Sequence, residues 1–204
     1  LDWSERHATH AAQKIPENWE ELCEHLFFRL AYTIRKEDIP STLYINSDQT
    51  QVVYAQGCQL TWAKTGAKQI STVGNDKKRA FTIMVSISND GTMLPLQAIY
   101  QGYSKGSCPS QSAPNYENCI SAGFQFEYLN TKTYWSTHMT MHSLIDNIIA
   151  PYFEQKKQEL GLPQMQKTIW QIDVWSMHRS EEFWSWMKIH HPTIGLHYVP
   201  GGCT

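Results

Sequence analysis

The 204-residue sequence lacks several features that define common protein classes. Its five cysteines are an odd number without a C-x-x-C pair, so neither a disulfide framework nor a zinc ribbon is indicated. It has no N-x-S/T sequon, no signal-peptide pattern, and no apolar run approaching the roughly 18 residues of a membrane helix. We therefore expect a protein of a reducing compartment that is not secreted and has no membrane partner.

A bias of charge is also missing. The formal net charge is -2 and the isoelectric point is about 6.5, so nucleic-acid binding would have to rest on local basic patches. No glycine-rich phosphate loop is present, and no Cys and His spacing is typical of a thiol protease. Nucleotide hydrolysis at a P-loop and covalent catalysis by a side chain are therefore not indicated.

The length and the ends of the chain suggest part of a larger protein. With 41% hydrophobic residues, the chain can form one sizeable core, which favours a single domain. It begins at Leu1 rather than Met and stops at Thr204 inside a predicted loop. We expect a fragment cut at both ends, with a helical lead-in over residues 1–40 and a core over residues 41–204 that is incomplete at its C-terminus.

Hydrophobic periodicity predicts an alternation of helices and strands. Residues 101 to 130 show no clear period and predict a long irregular insertion with a short helix. The other predicted elements are a helix from Pro16 to Ile39, strands over Leu43–Ser47 and Gln51–Ala55, a hairpin of Arg79–Ser88 with Leu94–Tyr100, a helix from Met141 kinked at Pro151, a strand over Thr168–Val174, a helix from Ser180, and a strand over Ile194–Val199.

This order predicts an α/β fold with a mixed sheet, in which an antiparallel meander is followed by a βαβ unit and helices cover the faces. The first strand and the strand after the crossover helix can then lie side by side and parallel. Each is predicted to end at an aspartate, Asp48 and Asp173, so the two carboxylates should be neighbours.

Two adjacent carboxylates repel each other unless a cation lies between them. Mg²⁺ prefers oxygen ligands and is usually held by one or two carboxylates together with substrate phosphates. Asp48 and Asp173 are therefore candidate ligands of a site for phosphoryl transfer. Taken singly, an aspartate after a strand more often initiates a turn, so the prediction rests on the two residues together.

Four stretches also resemble a known family, and they read LYINSDQT, GAKQISTVGNDKKRAFTIMVSISNDGTMLPLQAIYQG, KTYWSTHMTMHSLIDNIIAPYF and IWQIDVWSMHRSEEF. They resemble the DDE endonuclease domain of pogo and Tigger type transposases and of domesticated relatives such as centromere protein B. The resemblance runs from about Trp3 to Thr204. Its most specific marks are the N-x-D-Q-T context of Asp48 and the spacing of Asp173 and His178.

The resemblance implies an RNase H-like fold and metal-dependent cleavage and transfer of DNA strands. It implies catalytic and metal-binding roles for Asp48 and Asp173, with Mg²⁺ or Mn²⁺ as cofactor. In the family a third carboxylate follows the last strand, so two ions are expected only with an acidic ligand from beyond Thr204. The resemblance implies that DNA is the partner. It implies that the protein is located in the nucleus, or in the cytoplasm before import. Whether the protein forms a homo-oligomer stays open.

Several further residues have two interpretations each. His178 could contact Asp173 or a phosphate, or could simply begin the next helix. A basic stretch could bind DNA phosphates or form a solvated turn, and its members are Lys64, Lys68, Lys77, Lys78 and Arg79. His138 and His142 share a helix face, but Met139 stands where the zinc signature H-E-x-x-H needs Glu, which favours surface or capping roles.

Whether the chain is an enzyme stays open from sequence. Val174 and Trp175 follow Asp173 where the family usually has a small polar residue. This departure favours an alternative, a domesticated scaffold that binds DNA or a protein without catalysis. A third alternative is an unrelated RNase H-like nuclease acting on RNA or RNA–DNA hybrids, which would share the metal site but not the motif contexts.

Overall fold

The computed structural model describes residues 3–7, 15–55, 60–66, 79–129, 137–174 and 180–203. The strands are β1 (Trp3–His7), β2 (Tyr44–Ala55), β3 (Leu60–Lys64), β4 (Arg79–Ser88), β5 (Gln97–Tyr100), β6 (Gln125–Tyr128), β7 (Thr168–Asp173) and β8 (Ile194–Val199). The helices are α1 (Trp19–Glu37), α2 (Tyr116–Ser121), α3 (His138–Leu144), α4 (Ala150–Glu159) and α5 (Glu181–His190), with a π-helical turn over Ile145–Ile149 and short 3₁₀ turns over Ser41–Leu43 and Lys105–Ser107.

Six strands form one mixed sheet in the order β6-β5-β4-β2-β7-β8. The pairs β2–β4 and β4–β5 are antiparallel, whereas β5–β6, β2–β7 and β7–β8 are parallel. This is the predicted meander followed by a βαβ unit. The prediction that the first core strand lies beside and parallel to the strand after the crossover helix is confirmed.

Helices lie on both faces of the sheet, as two contacts on β8 show. Trp184 of α5 donates its indole N–H to the hydroxyl of Tyr198 at 2.7 Å. Arg29 of α1 lies close enough to His197 for its positive charge to lower the pKa of the histidine. Because consecutive strand residues point to opposite faces, α5 and α1 cover opposite sides of β8. The predicted α/β class, a mixed sheet with helices on both faces, is confirmed.

The two short strands predicted over Leu43–Ser47 and Gln51–Ala55 are wrong, because β2 is one continuous strand of 12 residues. Asp48 therefore lies inside a strand rather than at its end. The strand continues because β4 pairs with it along most of its length, from Ile45 to Ala55. Asp48 remains exposed, so a charged residue can occupy the strand without burial.

The helical crossover contains the irregularity that its proline predicts. The chain passes from α3 through the π-helical turn into α4, whose first turn contains Pro151. Proline has no amide hydrogen to donate within a helix, so the hydrogen-bonding pattern must change nearby. The π-helical turn accommodates this change, and its residues Ile145, Ile148 and Ile149 are buried in the core.

Parts of the fold were not predicted. Residues 101–129 contain the expected short helix, α2, but also the edge strand β6, which pairs in parallel with β5. β1 and β3 form a separate antiparallel ribbon. The division into a lead-in over residues 1–40 and a core from residue 41 stays a prediction. Within the described residues, no helix is both long enough and apolar enough to cross a membrane.

Candidate functional site

The candidate site lies where the parallel strands β2 and β7 end their pairing. Tyr44 pairs with Ile169 and Asn46 pairs with Gln171. Continuing this register by two residues places Asp48 level with Asp173, the last residue of β7. Since alternate residues of a strand share a face, both carboxylates project from the same face of the sheet.

The two candidate ligands differ in environment. Asp48 is exposed, and its Oδ1 accepts a hydrogen bond from the backbone N–H of Gln49 at 2.8 Å. Asp173 is half-buried, and its backbone pairs with Val199 of β8. Asp48 thus faces solvent, whereas Asp173 is partly covered by its surroundings.

A layer of polar residues lies beneath the two aspartates on the same face. Gln171 is level with Asn46 of β2 and with His197 of β8. The Tyr44 hydroxyl donates a hydrogen bond to Gln171 Oε1, and burial raises the pKa of Tyr44. His197 is buried, which lowers its pKa, as does the nearby charge of Arg29. Sequence reasoning missed Gln171 and His197, although their alternation with apolar neighbours in two predicted strands was visible.

The opposite face fixes how β2 and β7 lie against each other. Trp170 donates its indole N–H to Ser47 Oγ at 2.8 Å, and Ser47 Oγ lies 2.7 Å from Ser86 Oγ of β4. All three residues are buried. Because buried polar groups are costly unless paired, these bonds favour one register. The register that they favour is the one that pairs Asn46 with Gln171, two residues before Asp48 and Asp173.

The donor set fits a divalent cation in part. Two carboxylates on one face suit Mg²⁺ or Mn²⁺, which take the rest of their coordination from water and phosphate oxygens. In the described parts of the chain, no group of three or more His, Cys, Asp or Glu residues is placed to hold a metal ion. The described residues therefore offer two candidate ligands, Asp48 and Asp173, without a clustered third.

Two of the five predicted basic residues, Lys64 and Arg79, lie within the described residues. Lys64 is the last residue of β3 and is exposed. Its backbone pairs with that of Trp3 in β1. Arg79 begins β4, where its backbone pairs with Ala55. Three predicted phosphate contacts, and the residue predicted to support Asp173, lie outside the described residues: Lys68, Lys77, Lys78 and His178.

His138 and His142 have packing and capping contacts. His138 Nε2 lies 3.0 Å from Ser180 Oγ, the residue that caps α5, and its Nδ1 lies 3.2 Å from a Glu182 carboxylate oxygen. His142 stacks on Trp186 with ring centroids 3.8 Å apart. Both histidines thus join α3 to α5, which agrees with the predicted capping role of His138.

The predicted RNase H-like α/β fold is confirmed by solved transposase structures that share it. Solved structures with a similar fold include the pre-cleavage Mos1 transpososome, with a TM-score of 0.53 at 8% identity, and the Mos1 mariner paired end complex with Mn, with a TM-score of 0.52 at 7% identity. The alignments cover 97% of this chain and 48% and 47% of the two Mos1 chains.

A third structure, the Mos1 transposase paired-end complex with left transposon end, has a TM-score of 0.50 at 9% identity. The chain thus spans about half the length of the Mos1 chains that it matches. At these identities the likeness is one of fold. No protein-family model matches the chain, and no curated protein matches it.

Proposed function

We propose that this domain is the catalytic core of a DDE transposase of the pogo and Tigger type, which cleaves and transfers DNA strands with a divalent metal. The observation that carries the proposal is the parallel pairing of β2 with β7, whose last pair, Asn46 with Gln171, lies two residues before Asp48 and Asp173. The resemblance of the sequence motifs to that family supports it. So does the fold shared with Mos1, whose solved complexes include one with a transposon end and one with Mn.

In this proposal Asp48 and Asp173 hold Mg²⁺ or Mn²⁺. The bound ion would activate the attacking oxygen and stabilise the charge that develops on the phosphate. The protein's own residues hold the carboxylates in place, because Ser47 and Trp170 fix the two strands from the opposite face. A third acidic ligand from outside the described residues would complete a two-ion site. Lys64 and the predicted basic stretch around it would contact DNA phosphates.

The proposal predicts that the full-length protein cleaves a DNA duplex carrying its transposon ends in the presence of Mn²⁺. Asp48→Asn and Asp173→Asn should each reduce the cleavage rate by at least about 100-fold, since even residues that only orient a metal ligand contribute 10–100-fold. Both changes keep side-chain size and remove the charge. The measurement is the rate of strand cleavage on a denaturing gel.

Asp38→Asn is a matched control for this assay. Asp38 is exposed at the C-terminal end of α1, in a left-handed conformation with φ 48° that Asn also adopts readily. The Asp38→Asn variant should cleave DNA at the wild-type rate. Wild-type cleavage by either Asp48→Asn or Asp173→Asn would contradict the proposal, and preference for an RNA–DNA hybrid over DNA would favour a nuclease of another kind.

A second candidate function is a domesticated scaffold that binds DNA or a protein without cutting. It is favoured by the bulky Val174 directly after Asp173 and by the two-ligand donor set among the described residues. If the protein is such a scaffold, the double variant Asp48→Asn/Asp173→Asn should bind DNA as well as the wild type does, and neither protein should cleave DNA. Under either function we place the protein in the nucleus. Sedimentation of its complex with DNA would show whether the protein acts as a homo-oligomer.

A further inference from the structure

The outward face of α1 carries aromatic side chains. Leu26 is buried, and Leu30 and Ile34 pack against the core, so one face of the helix is turned inward. On the other side of the helix Phe28 is 58% exposed and Tyr32 is 66% exposed. A surface helix ordinarily has polar residues on its outer face. The two rings therefore form an apolar surface that the described part of the chain leaves open to solvent.

Charged residues of opposite sign flank these rings. Glu21 lies in the first turn of α1 and Arg35 in its last turn, and both are exposed. They stand seven residues before and seven residues after Phe28. Because seven residues make almost two helical turns, the three lie on one stripe of the helix. Glu24 and Tyr32, four residues before and after Phe28, complete this group, which we call the α1 stripe.

We propose that the α1 stripe binds the α1 stripe of a second copy of this chain, with the two helices antiparallel. A two-fold axis then passes beside Phe28, and each residue faces the one at the same distance on the other side of Phe28. Glu21 faces the partner's Arg35, and Arg35 faces the partner's Glu21. The two Phe28 rings meet at the axis, and Glu24 faces the hydroxyl of the partner's Tyr32.

The order of charges along the stripe favours a second copy as the partner. An acidic first turn and a basic last turn also offset the helix dipole, so the charges alone do not require a partner. The exposed rings between them have no part in that effect, and removing them from water would stabilise a complex. A surface that is acidic at one end, aromatic in the middle and basic at the other end is complementary to its own reversed copy.

The length of α1 suits such an interface. The helix has 19 residues, and Glu21 and Arg35 lie about 21 Å apart along its axis. Two helices that cross at about 20° can stay in contact over this length. Phe27 packs edge-on against Phe28, with ring centroids 5.7 Å apart, and is itself 65% exposed. It therefore widens the apolar centre of the contact.

Sedimentation equilibrium of the protein without DNA tests this proposal, which goes beyond the proposed function and does not depend on it. The wild type should show a reversible equilibrium between monomer and dimer. Glu21→Arg and Arg35→Glu should each weaken the dimer by at least about tenfold, because each turns two attractive pairs into repulsive ones. The double variant Glu21→Arg/Arg35→Glu keeps both pairs with their signs exchanged, so it should dimerise as the wild type does.

A mixture of the two single variants separates this pairing from a general loss of folding. Glu21→Arg and Arg35→Glu together should form a heterodimer, since every arginine of one variant then faces a glutamate of the other. Lys105→Glu is the matched control, because it makes the same change of charge on an exposed residue next to β6, at the sheet edge opposite β8. It should dimerise as the wild type does.

Three results would overturn the proposal. One is a wild-type protein that stays monomeric at about 0.1 mM. Another is a dimer that neither single charge reversal weakens, because the interface would then lie elsewhere. The third is a double variant that dimerises no better than the single variants, since the two helices would then not pair Glu21 with the partner's Arg35.

Discussion

Lys157 is a charged side chain that is only 2% exposed. Its ammonium donates to a Glu154 carboxylate oxygen at 2.8 Å, to the Gln164 carbonyl at 3.0 Å and to Thr193 Oγ1 at 3.3 Å. These three acceptors match the three hydrogens of the ammonium. Lys157 thereby joins α4 to the chain before β7 and to the chain before β8, and both of these strands lead to the candidate site.

Lys157→Met should lower the free energy of unfolding by about 2 kcal/mol, because it leaves the Gln164 carbonyl and the Thr193 hydroxyl without their buried donor. Glu154 is 45% exposed, so water can still hydrate its charge. Urea unfolding would measure the change as a lower midpoint at an unchanged slope. The neighbouring Lys156→Met, which breaks an ion pair with the exposed Glu159, should change the midpoint little. Equal effects of the two substitutions would contradict this account.

His142 makes the stability of the protein depend on pH. Burial lowers its pKa below the ordinary value of 6.5, and the neighbouring His138 lowers it further. Asp146 and Glu182 act in the opposite direction, and His190 adds to the lowering. The unfolded chain therefore binds a proton more readily than the folded chain does. The stability that neutral His142 contributes is fully present above pH 6.5 and is lost as the pH falls through its pKa in the folded state.

His142→Phe should reduce the loss of stability between about pH 7 and pH 5, since a ring that stays neutral can still stack on Trp186. The measurement is the urea midpoint at several pH values across this range. Some dependence should persist, because burial and Arg29 also lower the pKa of His197. His25→Gln, an exposed change away from the α3–α5 interface, serves as the control. A pH dependence as steep as that of the wild type in His142→Phe would contradict the assignment.

At the scale of elements, the pairing of β2 with β7 depends on one buried hydroxyl. Ser47→Ala would leave the Trp170 indole N–H without its acceptor in a buried position, at a cost of about 1–3 kcal/mol. Ser86→Ala removes only the hydroxyl beyond Ser47, so it should cost less. Urea unfolding of the two variants makes the comparison. If Ser86→Ala destabilised the protein more than Ser47→Ala does, this would contradict the conclusion that the hydrogen bond from Trp170 fixes the register of β2 with β7.

The elements that sequence predicted best are those with strong periodicity and clear end signals. β7, α5 and β8 lie where they were expected, and Ser180 caps α5 by accepting a hydrogen bond from the Phe183 N–H at 3.2 Å. β5 begins at Gln97, later than predicted, and Pro95 just before it has no N–H for a strand ladder. The ends of these helices and strands depend on residues next to them in the sequence, such as Ser180 and Pro95, so the sequence is enough to locate them.

Elements that depend on distant partners could not be located from sequence. β2 reads as two strands because Asp48, Gln49 and Thr50 interrupt its apolar pattern, and only the pairing with β4 shows that the strand continues. β6 has four residues and no alternation, and its parallel pairing with β5 is a tertiary contact. The ribbon of β1 and β3 likewise joins segments separated by the whole of α1.

At the scale of the whole molecule, the candidate site depends on strand order. Sequence reasoning predicted Asp48 and Asp173 as neighbours from the order of elements alone, and the parallel pairing of β2 with β7, which ends at Asn46 and Gln171, agrees with that order. It could not supply the polar layer of Asn46, Gln171 and His197, because this layer arises only when three strands align. The metal-binding role of the two aspartates stays a prediction.

Calorimetric titration with Mn²⁺ tests that role most directly, on the wild type, Asp48→Asn, Asp173→Asn and the control Asp38→Asn. We predict saturable binding by the wild type and by Asp38→Asn, and binding weaker by at least about tenfold when either Asp48 or Asp173 loses its charge. The same affinity in all four proteins, or no binding by the wild type, would contradict the proposal that these two strands carry a metal site.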